Sequence, residues 1–86
     1  MPLVSVLLPY RNNALTIEEA ARSVLADRDV DLELCAIDDG STDDGPRIVA
    51  RIAREDPRVI PIATGGLGIV GALAAGLSCA RAPFIA

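Results

Sequence analysis

Short apolar runs of strand length alternate with segments of helical period along the whole chain, and that alternation leaves few folds open. Leu3–Leu8 is an apolar run closed by Pro9. Thr16–Ala26 has helical period: Ile17, Ala20, Ala21, Val24 and Leu25 share one face, and Thr16 with Glu19 spells a capping box. Asp27, Asp29 and Asp31 mark a turn before a second strand, Leu32–Ile37. Gly40–Gly45 reads as a loop, and Pro46 suits the first turn of a helix reaching Glu55, buried through Ile48, Val49, Ile52 and Ala53. Val59–Ile62 is a third strand; a glycine loop, a helix from about Gly71 to Arg81 and the start of a fourth strand at Phe84–Ala86 complete the series. The order β-α-β-α-β-α-β predicts an α/β fold: a Rossmann-like parallel sheet with right-handed crossovers, in three layers α/β/α.

Composition narrows the chemistry. All eight basic residues are Arg, against twelve Asp and Glu, for a net charge of −4, and there is no Lys, His, Gln or Trp. Absent His removes Ser–His–Asp triads, Cys–His pairs and His-based zinc sites; absent Lys removes the P-loop lysine and the Schiff base. An acidic chain whose aromatics are Tyr10 and Phe84 also lacks the basic face and stacking platforms of a nucleic-acid binder. At 51% hydrophobic residues and a mean hydropathy of +0.40, the chain is too apolar to be disordered. A chain of 86 residues makes at most one small domain with a marginal core, so this apolarity points either to missing neighbours or to an Ala/Val/Leu-rich coding bias.

Cys35 and Cys79 have no metal or redox spacing and read as buried thiols, and the N-terminus has no leader-like pattern, so a cytoplasmic location is expected. Val59–Ala80 carries no charge, but five glycines and Pro61 interrupt it, so no membrane span is expected.

Ligands of parallel sheets bind outside the carboxyl ends of the strands. The loops there are Pro9–Asn13, Asp38–Gly45 and Ala63–Gly71. The stretch from Asp38 to Asp44 is the most informative: adjacent Asp38 and Asp39 at a strand end point to opposite sheet faces. One can enter the ligand cleft while the other is held by following amides, with Gly40 allowing a sharp turn. Equally, these acids read as turn and cap residues. A phospho-accepting receiver domain is excluded, because the pair follows the second strand and no Asp lies beyond Asp56. Arg11 is the lone cation in these loops, a partner for a phosphate or for Asp39, or simply a surface Arg beside a capping Asn12. Gly66–Gly71 matches G-x-G-x-x-G, but it does not follow the first strand and no acid lies in the fifteen residues after it.

Taken together, VSVLLPYRN at Val4–Asn12, DLELCAIDDGSTD at Asp31–Asp43, EDPRV at Glu55–Val59 and GALAAGLSCARAPFIA at Gly71–Ala86 resemble the start of a family 2 glycosyltransferase, the first half of a GT-A fold. The resemblance implies a nucleotide-diphospho-sugar donor, often a UDP-sugar, and transfer of the sugar to an acceptor hydroxyl. It implies a nucleotide site made of Pro9, Tyr10, Arg11, Asn12, Asp38, Asp39, Gly40 and Gly71. Asp39 would accept from the uracil ring, Asp38 would support the loop, and residues opening the third helix would approach the diphosphate. Ala74 stands where many members carry Asn.

The resemblance also implies a divalent cation, Mn or Mg, in the full-length enzyme, on an Asp-x-Asp motif that this chain lacks, as it lacks a catalytic Asp. Residues 1–86 are therefore expected to be a partial nucleotide-sugar-binding domain, truncated before that motif and inactive alone. The competing readings are a non-catalytic nucleotide-binding module and an NAD(P)-type dinucleotide-binding fragment. Self-association through the open sheet edge is a further expectation.

Overall fold

A computed structural model describes residues 2–86 of the chain. In chain order the elements are β1 (Val4–Tyr10), α1 (Ile17–Leu25), β2 (Leu32–Asp38), α2 (Gly45–Glu55), β3 (Val59–Ala63), α3 (Gly68–Cys79) and β4 (Phe84–Ile85). They form one four-stranded sheet in the order β3-β2-β1-β4, parallel throughout. The expected alternation and parallel α/β architecture are both present.

The strand order explains the layers. From β1 to β2 to β3 the chain steps in one direction across the sheet, so right-handed crossovers put α1 and α2 on the same face. From β3 it returns past β1 to β4, which puts α3 on the opposite face. Side-chain alternation along β2 agrees. Leu32, Leu34 and Ala36 join Ile17, Ala21, Leu25, Val49 and Ile52 in the main core beneath α1 and α2. Ile37, of opposite parity, meets α3 at Gly76. Six of the seven β2 residues are buried, as a central parallel strand covered on both faces must be.

Four local expectations need correction. β1 does not stop before Pro9 but pairs through Pro9 and Tyr10 with Ile37 and Asp38. Pro9 is tolerated because its nitrogen faces the same side as the Leu7 amide, which donates to Ala86, and β4 pairs only with Val4 and Ser5, so Pro9 lies on a free edge where no ladder bond is lost. The third helix begins at Gly68, one turn earlier than expected, because partners outside the helix take its first amides. The Thr16–Glu19 capping box does not form: Thr16 donates to the Asn13 carbonyl at 3.4 Å and makes no cap bond. Cys35 is buried as expected, but Cys79, the last residue of α3, is exposed.

α3 approaches the sheet through small residues. Ala72 and Gly76 are buried, and a Cβ at Gly76 would collide with the Ile37 side chain and crowd Leu7. Gly76→Ala therefore tests the docking. On an exposed helix the change would stabilise by up to about 1 kcal/mol; here overpacking should destabilise by about 1–3 kcal/mol in urea denaturation. A Gly76→Ala protein more stable than wild type would place α3 off the sheet.

Candidate functional site

Three loops meet at the carboxyl end of the sheet, beside the point where the strand order reverses between β1 and β4. Polar side chains rather than apolar packing stitch them together. Asn12, at the tip after β1, holds a φ of 55°, a left-handed conformation that Asn tolerates better than most residues. Its amide donates to Ser41 Oγ at 3.0 Å, and its side-chain oxygen accepts from the Thr42 amide at 2.8 Å. Asp43 accepts from the Ala14 amide at 3.0 Å and from the Gly45 amide at 2.9 Å, so it joins the same two loops and steadies the start of α2.

The two adjacent acids divide their work as strand alternation requires. Asp38 Oδ1 accepts from the Ser41 amide at 2.8 Å and shapes the turn. Asp39 points to the α3 side, is 6% exposed, and accepts from the Thr64 hydroxyl and from the Leu67 and Gly68 amides, the latter two at 2.6 and 2.8 Å. It thus fills the capping role at α3, whose own cap position is Leu67 and supplies no side-chain bond. The Thr64 hydroxyl leads in holding the Asp39 carboxyl below the usual carboxylate range; burial opposes the shift, and the helix amides reinforce it. Gly40 has a φ of 91°, and its Cα comes so near Gly66 that a Cβ would lie 3.2 Å from the Gly66 nitrogen.

Between β1, Asp39 and the start of α3 lies a cleft of about 320 Å³, lined by Pro9, Tyr10, Arg11, Asn13, Asp39, Gly68, Ile69 and Ala72. That volume lies at the lower end of the range for small-molecule sites. Burial, followed by the nearby charges of Asp38 and Asp43, pushes the Tyr10 phenol up to about 12, so it remains neutral at ordinary pH. Arg11 is exposed and makes no ion pair among the described residues, leaving its guanidinium free for an anion at the rim.

Of the residues expected at the site, Pro9, Tyr10, Arg11 and Asp39 line the cleft, while Asn12, Asp38 and Gly40 support it from behind. Gly71 lies within α3 and is not among the lining residues; Gly68, Ile69 and Ala72 present that wall instead. The pairing of Arg11 with Asp39 is absent, because Thr64 and the α3 amides hold Asp39. Five contributors were not among the expected site residues: Asn13, Gly68, Ile69 and Ala72 in the lining, and Thr64 behind Asp39. Thr64, directly after β3, carried a usable signal: a hydroxyl opening a glycine loop at the ligand end.

These residues do not make a divalent-cation site. The one carboxylate lining the cleft, Asp39, already accepts from one hydroxyl and two amides, and no cluster of three or more His, Cys, Asp or Glu suited to a metal occurs among the described residues. Nor does any described helix have the length and apolarity to cross a membrane.

Comparison with known proteins agrees with this geometry. The profile of the family described as glycosyl transferase family 2 matches residues 5–86. The succinoglycan biosynthesis protein ExoO of Rhizobium meliloti is 40% identical over 87 aligned residues, covering 100% of this chain and 24% of that protein. Chondroitin synthase of Pasteurella multocida is 35% identical over 85 residues, covering 99% of this chain and 9% of its own length. Among solved structures, a mannosyltransferase from Pyrobaculum calidifontis, in complex with GDP-mannose and Mn2+, superposes with a TM-score of 0.82 at 31% identity, over 93% of this chain and 25% of that one. The chain thus spans about a quarter or less of the length of these relatives.

Asp39→Asn keeps the side-chain shape but removes the charge and turns an N–H toward the α3 amides. The folded carboxyl has a lowered pKa, so its contribution to stability is complete well above the unfolded value near 3.9 and is lost as pH falls through and below it. Thermal melts should show Asp39→Asn less stable than wild type at pH 7, with the gap narrowing toward about pH 3. A gap unchanged across that range would contradict the capping role of the charge.

Proposed function

The chain belongs to glycosyl transferase family 2, and from that premise we propose that its cleft holds the nucleoside-diphosphate part of a nucleotide-sugar donor whose sugar is transferred to an acceptor hydroxyl. The observation that carries this reading is the placement of Tyr10, Arg11 and Asp39 around one cleft at the switch point of a parallel sheet. GDP-mannose in the similar mannosyltransferase supports the donor class.

Each wall has a chemical task in this reading. Asp39 retains unused lone pairs on a carboxylate already fixed in place, so it can accept a ring N–H from a base without rearranging. Pro9 offers an apolar floor for the base or ribose, and Tyr10 beside it anchors that floor, its ring packed into the main core against Gly45. Arg11 meets the diphosphate, where a guanidinium matches phosphate oxygens in a bidentate fork. The α3 amides beyond Gly68 have no partner within the helix and face the same region, which favours negative charge there. Asn12, Asp38 and Gly40 hold the walls rather than touch the ligand.

A UDP-sugar is the donor we assign, on the likeness of the Val4–Asn12 and Asp31–Asp43 segments to the family. Guanine carries a comparable ring N–H, which makes a guanosine diphosphate sugar the competing outcome. The divalent cation expected for such enzymes has no ligand set among these residues, and no step is derived through it. Residues 1–86 are assigned as a donor-nucleotide portion, which by itself supplies neither a base for the acceptor hydroxyl nor a metal site, and a cytoplasmic location is part of the same proposal. The dinucleotide reading has no observation in its favour, because the glycine-loop amides that would cradle a pyrophosphate are turned onto Asp39.

Titration with UDP, GDP and NAD, each with and without manganese, followed by amide NMR, tests the proposal. UDP should shift Tyr10, Arg11, Asp39 and Gly68 together, and Asp39→Ala should weaken binding by roughly 10-fold or more, as expected for a lost charged hydrogen bond. A response to NAD but not to either nucleoside diphosphate would overturn it. Self-association through the β4 edge is read separately, from light scattering across concentrations; a monomer throughout removes it.

A further inference from the structure

We infer that Glu33 is a positioning residue for the cleft: it fixes how far α3 lies along β2, and so where the α3 N-terminus meets Asp39. Glu33 lies at the opposite end of the sheet from the cleft and touches none of its lining residues. Glu33, Cys35, Ile37 and Asp39 nonetheless form one row on the α3 face of the sheet, with an acid at each end and apolar residues between. Six residues of strand separate the two acids by about 20 Å. α3 has 12 residues and is therefore about 18 Å long. The helix runs back along β2 with its two ends matched to the two carboxylates.

The far end is tied as firmly as the near one. Glu33 is 1% exposed, and both its oxygens are taken. Oε2 accepts from the Ser5 hydroxyl at 2.6 Å and from the Arg81 amide at 2.8 Å; Oε1 accepts from Arg81 Nε at 2.9 Å. The Ala82 amide closes the cluster on Ser5 Oγ at 3.2 Å. Arg81 follows the last α3 residue by two positions, so these bonds hold the helix exit. Between the ends, Ala72 and Gly76 bring α3 close but present only apolar surface, and α3 has no acid in its first turn and no base in its last. Directional contacts therefore sit at the ends alone. An apolar side chain of similar volume would be cheaper to bury than Glu33, since the Arg81 side chain stays 63% exposed, so what the carboxylate supplies is placement.

The structural half of this inference is independent of ligand; the functional half rests on the nucleotide-binding reading. Amide hydrogen exchange is compared in wild type, Glu33→Gln and Val49→Ala, the last loosening the opposite layer as a control. Glu33→Gln should speed exchange at Leu67 and Gly68 by on the order of tenfold beyond Val49→Ala at matched loss of Tm. It should also weaken UDP or GDP binding, and Glu33→Asp should restore part of both. Equal exchange at Leu67 and Gly68 in the two variants overturns the inference and leaves Glu33 a purely structural residue. Faster exchange with unchanged affinity overturns its functional half. A wild type that binds neither nucleotide sinks the nucleotide reading, and exchange alone then decides on Glu33. If Glu33→Gln fails to fold, Ser5→Ala removes one donor to the same carboxylate, and an undisturbed α3 N-terminus there overturns the inference as well.

Discussion

The ligand end of this molecule depends on the hydrogen bonds that the Leu67 and Gly68 amides give to Asp39. A helix beginning at Leu67-Gly68 has no side chain of its own to satisfy its first amides, and three glycines lower its intrinsic stability. Asp39 supplies what the helix lacks, and the negative charge sits where the helix dipole favours it. In return the helix amides and Thr64 make burial of the carboxylate tolerable. Strand, glycine loop and helix are one unit because none of the three is satisfied without the others.

The two faces of the sheet solve the solvent problem differently. α1 and α2 turn charge outward: Arg22 reaches both Glu18 and Glu55 at 3.0 Å, and Arg51 reaches Glu18 at 2.8 Å. Such exposed pairs contribute little stability each, but they keep that layer wetted. α3 carries no charged residue, and Ile69, Val70 and Leu77 remain exposed, Val70 at 79%. A helix apolar on all sides is ordinarily covered on all sides. Here the apolar surface runs to the rim of the cleft at Ile69, so the site has one polar wall, of Arg11 and Asp39, and one apolar wall.

Element types and order were legible because short parallel strands and amphipathic helices leave strong periodic signals. Ile17, Val49 and Ile52 declared their buried faces by helical spacing alone, and the structure buries all three. α3 was harder to bound, since a helix apolar all round has no amphipathic phase to read and its first turn is set by a carboxylate 28 residues earlier in the chain. The Asp38–Asp39 pair was legible as a strand-end device, but its division of labour was not: which acid meets α3 follows from where β2 sits between its two layers. Glu33 left a faint trace, one acid inside an otherwise apolar strand. What that acid holds, a residue 48 positions away, is a tertiary fact.

The literal glycine motif and the acidic loop show why spacing alone misleads. Gly66–Gly71 has the pattern of a phosphate-cradling turn, and such a turn works because its amides converge on empty space that an anion can fill. In this fold the anion is already present and covalently part of the chain, because Asp39 occupies the focus of those amides. The same backbone geometry therefore acts as an internal tie rather than a cradle. On the proposed reading, a ligand at this end approaches Asp39 from its remaining side, as a donor to a fixed acceptor, and brings its own negative charge closer to Arg11 than to the carboxylate. The base and the diphosphate of a nucleotide would meet both demands together, with the ribose spanning between them.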